Sequence, residues 1–266
     1  MIPLSDDNPT RRTPYVTIGL ILASVITFFA VQPEANSGDG VRFTFEYAAI
    51  PCELAGGAPL SLIELNETLN GDDQACDIPG DTTEARFPDK NVWLAVIVSM
   101  FLHGGLLHLG GNMLFLWIFG NNIEDHLGHI RYLLFYLAAG GAATAAHVAV
   151  QLDSSVPVIG ASGAVAGVMG AYLVWFPSAR VRTLVFLGFI VLFPKVPAAL
   201  MLAVWFVSQF FIGPEDGVAW MAHVGGFVFG ALIALPLRSM VTKRQAFRPA
   251  GAHRSPTEWW DDPHRR

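Results

Sequence analysis

The chain has 266 residues, of which 53% are hydrophobic and only 14% are charged, and its mean hydropathy is +0.45. Soluble domains carry about 25% charged residues, so this composition excludes a water-soluble globule and indicates a membrane protein. Sixteen basic and 22 acidic residues give a formal net charge of -6, which offers no basic patch for nucleic acid. Membrane spans of about 20 residues would take up half the chain, so we expect one polytopic unit.

Six apolar segments are long enough to cross a bilayer. They are residues 15–32, 92–120, 132–152, 156–176, 196–213 and 218–237. The second has 29 residues, more than one span needs, so we expect a partly embedded segment before Gly104 and Gly105 and a helix after them. Residues 183–194 are also apolar but too short to span, and we interpret them as interfacial or re-entrant. The pattern predicts an all-α membrane protein, with six transmembrane helices in residues 15–238.

The basic residues predict the orientation, because cytoplasmic loops accumulate Lys and Arg. With the N-terminus inside, 13 of the 16 basic residues lie on the inner side. The outer segments hold three basic against fifteen acidic residues, mostly in a large outer loop of residues 33–91 between the first two spans. We therefore expect a multi-pass cell-membrane protein with two cytoplasmic tails, residues 1–14 and residues 239–266, the second of them disordered. The first apolar run lacks a small-residue cleavage pattern and is interpreted as a span, not a signal peptide.

Both cysteines, Cys52 and Cys76, fall in the outer loop. On an oxidising face of the membrane they can pair and close that loop, which would contribute about 3 kcal/mol. Two free thiols are the alternative.

Polar side chains inside spans are costly, so His108, Asn112, Ser162 and His223 are candidate functional residues. His108 and Asn112 are four residues apart and share a helix face, where two donors could stabilise negative charge on an oxygen atom. A hydrogen bond between helices is the alternative explanation.

Ser162 lies between glycines, in Gly160-Ala-Ser162-Gly163. The glycines leave space around the hydroxyl, so that a substrate carbonyl can approach it and the N–H groups of a helix N-terminus can face that carbonyl. A small-residue packing patch is the alternative.

His223 lies at the start of the sixth span, and Ser162 lies at a similar depth in the fourth. Each span carries small residues at four-residue spacing, which lets two helices approach closely. These are Gly163, Gly167 and Ala171 in one span and Gly226, Gly230 and Ala234 in the other. We expect this contact to bring His223 within hydrogen-bonding reach of Ser162, so that a weak nucleophile gains a general base.

Taken in chain order, three motifs resemble those of the rhomboid intramembrane serine proteases. They are His103-Gly-Gly-Leu-Leu-His108-Leu-Gly-Gly-Asn112, Gly160-Ala-Ser162-Gly163, and Ala222-His223 followed by Gly226 and Gly230. The resemblance covers roughly residues 92–237 and implies a six-helix rhomboid-like bundle. It also implies that the chain cleaves transmembrane helices of membrane-protein substrates without a cofactor, with Ser162 as nucleophile and His223 as base.

The resemblance further implies that His108 and Asn112 form the oxyanion site with the Ser162 N–H, and that His103 lies on a path that feeds water to the site. Some family members carry an aromatic residue one turn after the nucleophile, which stacks on the base. This chain has Ala166 there, so other packing must orient His223.

A transporter or metal-binding membrane protein is the alternative function, with the intramembrane histidines as proton carriers or ligands. His103 and His108 are five residues apart, which leaves them about 140° off a shared helix face. No acidic residue lies within the predicted spans. This is a poor set of ligands, and we expect no metal site.

Overall fold

The computed structural model describes residues 2–213 and 217–246, and most of them are helical. Long helical segments correspond to the six apolar segments of the sequence. They are α1 (Tyr15–Ile26) with a π-helical turn (Thr27–Val31); α6 (Leu106–Phe115), a second π-helical turn (Leu116–Gly120) and α7 (Asn121–Leu127); α8 (His129–Val148); α9 (Ser162–Trp175); α10 (Ala198–Ser208) with a 3-10 turn (Gln209–Phe211); and α11 (Trp220–Ala246).

One described stretch, Trp220–Leu237 of α11, is by itself long and apolar enough to cross a membrane. Three other apolar helices are shorter, namely Tyr15–Val31, Ser162–Trp175 and Ala198–Phe211. The apolar segment 92–120 is interrupted near its two adjacent glycines. A short helix, α5 (Val92–Ser99), precedes the break, and α6 begins at Leu106, directly after Gly105.

The long connection between α1 and α5 is folded. It contains α2 (Gly38–Tyr47), α3 (Pro51–Gly56) and α4 (Leu62–Leu69), and a disulfide joins Cys52 to Cys76. We call residues 32–91 the α1–α5 loop. Its small apolar core consists of Phe45, Ile50, Leu60 and Leu65.

The all-α prediction is incomplete, because four short strands form a sheet. Strand β1 (Ile2–Asp6) pairs antiparallel with β2 (Arg180–Leu187), which also pairs with β3 (Ile190–Leu192) and β4 (Lys195–Pro197). The segment interpreted as interfacial or re-entrant is therefore part of a β-hairpin, and the predicted N-terminal tail supplies one of the strands. Backbone pairing between residues 2–6 and 181–184 is a non-local contact, which periodicity along the sequence does not reveal.

Part of the C-terminal tail that was predicted to be disordered is helical, while the membrane boundary at residue 238 stays a prediction. Helix α11 continues to Ala246, past the expected end of the membrane domain at residue 238. The rest of the predicted disordered tail, residues 247–266, lies outside the described residues.

Helix α9 lies at the centre of the bundle, and every residue from Gly163 to Tyr172 is buried. Helices α8 and α11 both pack against it. A helix that is surrounded by protein in this way can present its first turn to an internal cavity.

Candidate active site

Ser162 is the first residue of α9, and the chain that leads to it is held by backbone hydrogen bonds. The Val158 N–H donates to the Ala49 carbonyl oxygen at 2.8 Å, and the Gly160 N–H donates to the Ser99 carbonyl oxygen at 2.9 Å. Gly160 has φ +120°, a conformation that favours glycine. The first N–H groups of a helix have no acceptor within the helix, so α9 presents free donors beside the Ser162 hydroxyl.

His223 lies in the first turn of α11, and this helix meets α9 backbone to backbone. A Cβ at Gly226 would overlap the carbonyl oxygen of Gly163. One turn further along, a Cβ at Gly230 would overlap the carbonyl oxygen of Gly167. The glycines singled out in the sequence therefore form this contact, next to Ser162 and His223.

All four polar candidates line the same cavity of about 1720 Å³, namely Ser162, His223, His108 and Asn112. Gly160 and Gly163 line it as well. Residues from three helices, α6, α9 and α11, and from the segment before α9 thus converge at one place.

His108 and Asn112 lie on one face of α6. The Gly104 N–H donates to His108 Nδ1 at 3.3 Å, so Nδ1 is an acceptor and the proton of the neutral ring is on Nε2. A Cβ at Gly160 would lie 2.6 Å from this Nε2 and 3.6 Å from Asn112 Nδ2. Asn112 Nδ2 is buried and has no hydrogen-bond partner among the described residues. Two donors therefore face the segment that carries Ser162.

Two residues of α10 and its 3-10 turn contact the imidazole of His223, and sequence reasoning missed both. Gln209 Oε1 lies 2.7 Å from His223 Nδ1. The Trp205 ring lies 5.9 Å from the His223 ring between centroids, at an angle of 38°. Ala166, one turn after Ser162, is fully buried in α9 and offers no aromatic ring to His223. The signal in the sequence is a single Gln near the end of an otherwise apolar segment.

His103 is fully buried next to His108, with 5.2 Å between the ring centroids. The side chain of Gln32 holds its backbone: Gln32 Oε1 accepts from the His103 N–H at 3.1 Å, and Gln32 Nε2 donates to the His103 carbonyl oxygen at 2.8 Å. The His103 ring is not among the described side chains that line the cavity. Its role in a water path stays a prediction.

Within residues 2–213 and 217–246, no group of three His, Cys, Asp or Glu side chains is arranged to hold a metal ion. The metal-binding alternative therefore gains no candidate site from this part of the chain.

Comparison with known proteins agrees with the motifs. The model of the Rhomboid domain family matches residues 90–240. RHOMBOID-like protein 4 of Arabidopsis thaliana is 29% identical over 84% of this chain and 52% of its own length. Rhomboid-type serine protease 2 of Emericella nidulans is 30% identical over 82% of this chain and 40% of its own length.

A match over a shorter stretch of the chain has a higher sequence identity. Rhomboid protease GluP of Bacillus subtilis is 41% identical over 30% of this chain and 15% of its own length. The chain thus spans about half or less of the length of these relatives. Since the family model covers more than half of the chain, the resemblance drawn from the motifs is confirmed, and the chain belongs to the rhomboid family, a membrane-embedded family that includes serine proteases.

Proposed function

We propose that this chain is an intramembrane serine endopeptidase that cleaves a peptide bond in or near the outer end of a substrate transmembrane helix. The observation that carries the proposal is the convergence of Ser162, His223, His108 and Asn112 on one cavity. Membership of a family that includes serine proteases supports it.

The chemistry needs a nucleophile, a base and donors for a developing oxyanion. The Ser162 hydroxyl oxygen attacks the scissile carbonyl carbon while His223 Nε2 takes its proton. The negative charge moves to the carbonyl oxygen, where His108 Nε2–H, Asn112 Nδ2–H and the N–H groups at the start of α9 donate to it. His223 then returns the proton to the leaving amine and an acyl-enzyme forms. Water releases the acyl group by the same steps.

The membrane placement is part of the proposal. The helices α1, α6 with α7, α8, α9, α10 and α11 span the cell membrane, and both termini lie in the cytoplasm. The charge asymmetry supports this orientation, since the α1–α5 loop and its neighbouring outer segments are acidic and the opposite side is basic. Ser162 and His223 then lie near the outer ends of α9 and α11, and the lipid bilayer surrounds the bundle.

The substrate must present an extended segment to this site. In a helix, each carbonyl oxygen is occupied by its own backbone hydrogen bond and shielded by side chains. A substrate helix weakened by Gly or Pro near the outer boundary opens at lower cost, by about 1 kcal/mol for Gly and 3 kcal/mol for Pro.

The experiment is cleavage of single-span substrates by the protein in liposomes. We expect Ser162→Ala and His223→Ala each to abolish cleavage, and the double variant to be no worse than either, because the two residues act as one unit. Thermal unfolding of each variant checks that it folds. Turnover by a folded Ser162→Ala variant would contradict the proposal.

A further inference from the structure

Gln209 is a buried polar residue that the proposed mechanism does not use. It belongs to the 3-10 turn that ends α10, and only 4% of its surface is exposed. Its side-chain oxygen lies 2.7 Å from His223 Nδ1, on the side of the imidazole ring opposite Nε2. Burial of a polar amide is costly, so its contact with the proposed general base indicates a role at the site.

The orientation of the Gln209 amide follows from its other contacts. Gln209 Nε2 lies 2.9 Å from the Trp205 carbonyl oxygen and 3.2 Å from Ser208 Oγ. The oxygen and nitrogen of an amide are told apart by such partners, and a carbonyl oxygen can only accept. The NH₂ group must therefore face the Trp205 carbonyl, which leaves Oε1 facing His223.

The protonation of His223 follows in turn. Because Gln209 Oε1 can only accept, His223 Nδ1 must carry the proton that is donated to it. A neutral imidazole carries one ring proton, so Nε2 has the free lone pair. This is the tautomer that a general base for Ser162 requires.

We propose that Gln209 is a positioning residue that holds His223 in this tautomer and orientation. The inference rests on the proposed function. The neutral amide does the orienting work that a carboxylate does in a catalytic triad, and the Trp205 ring limits the tilt of the imidazole from a second direction. Together they supply from α10 the support that Ala166 cannot supply from α9.

Other groups around His223 do not take this role. The titratable neighbours of its ring are His108 on α6 and His147 on α8, which both line the cavity. His108 Nδ1 already accepts from Gly104, and the Nδ1 of His147 has no hydrogen-bond partner among the described residues. Within the described part of the chain, Gln209 is the side chain that bonds His223 Nδ1.

Three variants in liposomes test the inference. Gln209→Met keeps the length of the side chain but removes the acceptor, and Gln209→Glu keeps an acceptor and adds a charge. Phe211→Leu is the matched control, since Phe211 belongs to the same 3-10 turn as Gln209 and is 83% exposed. Cleavage kinetics over a range of pH, fluorophosphonate labelling of Ser162 and thermal unfolding are measured for each variant.

We expect Gln209→Met to lower kcat about 10- to 100-fold, a part of the 10²- to 10⁴-fold that a general base contributes, with KM within about twofold. Labelling of Ser162 should slow by a similar factor. Gln209→Glu should recover much of kcat and move the acid limb of the kcat/KM profile to higher pH, because a carboxylate stabilises the protonated imidazole. Phe211→Leu should behave as wild type.

Wild-type kcat and an unchanged pH profile in Gln209→Met would overturn the inference. If Gln209→Met does not fold, Gln209→Glu decides: a shifted acid limb supports the inference, and an unshifted one overturns it. Failure of the proposed function itself is a different result, since Ser162→Ala would then stay active.

Discussion

The carbonyl oxygen of Gly163 occupies the position where a side chain of Gly226 would begin. Gly163 directly follows Ser162, and Gly226 lies one helical turn after His223. This backbone contact therefore sets how closely the proposed nucleophile and base can approach. It depends on the absence of a Cβ at Gly226, whereas a Cβ at Gly163 would overlap the Ala143 Cβ of α8.

A methyl group at Gly226 should push α9 and α11 apart. We expect Gly226→Ala to cost about 1–3 kcal/mol through overpacking and to lower cleavage strongly. The matched control is Gly141→Ala in α8, where nothing lies within 4 Å of the added Cβ. This control should keep its activity and unfold at the same or a higher temperature, because Ala favours a helix over Gly by roughly 0.5–1 kcal/mol. Equal behaviour of the two variants would contradict the packing account.

The buried donor of Asn112 should matter for the transition state alone. Asn112→Ala removes one oxyanion donor, and such a loss costs about 10²- to 10³-fold in kcat. KM should change little, because the bond forms fully only when charge develops on the oxygen. Asn121→Ala on the same continuous helix is the control and should keep its activity. A large rise in KM with unchanged kcat in Asn112→Ala would argue for ground-state binding instead.

The α1–α5 loop contains a buried ion pair. The loss of stability on mutation should depend on whether one partner or both partners are replaced. Lys90 Nζ lies 2.6 Å from Glu53 Oε2, and both side chains are 2% exposed. Lys90→Met leaves a buried carboxylate without its cation, which costs about 3–5 kcal/mol. In Glu53→Gln with Lys90→Met no buried charge remains, and we expect this double variant to be close to wild type or more stable.

The pH dependence of the single variant follows from the pKa of Glu53. Burial raises this pKa above its usual value, because it disfavours the charged form. A carboxyl group whose pKa is raised in the folded state stabilises the fold at low pH. This stabilisation is lost as the pH rises through the raised pKa. The loss of stability in Lys90→Met, relative to wild type, should therefore be smaller in acid buffer, because Glu53 takes up a proton there. Thermal unfolding of variant and wild type at neutral and acid pH measures this loss of stability. A loss that is larger in acid would contradict the assignment of Glu53 as the buried titrating group.

The residue before the cut in the substrate should be small, because the glycine-rich ends of α9 and α11 pack closely beside the proposed nucleophile. We expect Ala at that position to be cleaved well and Phe or Leu poorly. Replacing Gly or Pro near the outer boundary of the substrate helix with Leu should slow cleavage separately. Equal rates for the Ala and Phe substrates would argue against the pocket, and indifference to the helix-weakening residues would argue against unwinding.

Much of the helical framework could be predicted from the sequence, because apolar segments and the polar residues that separate them are local signals. Small residues at four-residue spacing indicated which faces of α9 and α11 meet, and Gly226 and Gly163 do meet there. His108, Asn112, Ser162 and His223 could be singled out as candidates because polar side chains are rare within apolar segments, and the structure places all four at one cavity.

The missed features depend on contacts between distant parts of the chain. The strand at Ile2–Asp6 is stabilised by β2, which lies about 180 residues later, and neither segment shows this alone. Gln209 and Trp205 gain their significance only when α10 packs against α11. A Gln near the end of an apolar run otherwise indicates no more than the end of a helix.

Mapping of a fluorophosphonate adduct tests the central claim most directly, because it reports the reactive oxygen and its base together. The probe is applied to the wild-type protein in liposomes, and the modified residue is located by mass spectrometry of its peptides. We predict an adduct on Ser162 in the wild type that is lost in folded His223→Ala protein. Labelling at another residue, or full labelling of Ser162 without His223, would contradict the proposed dyad.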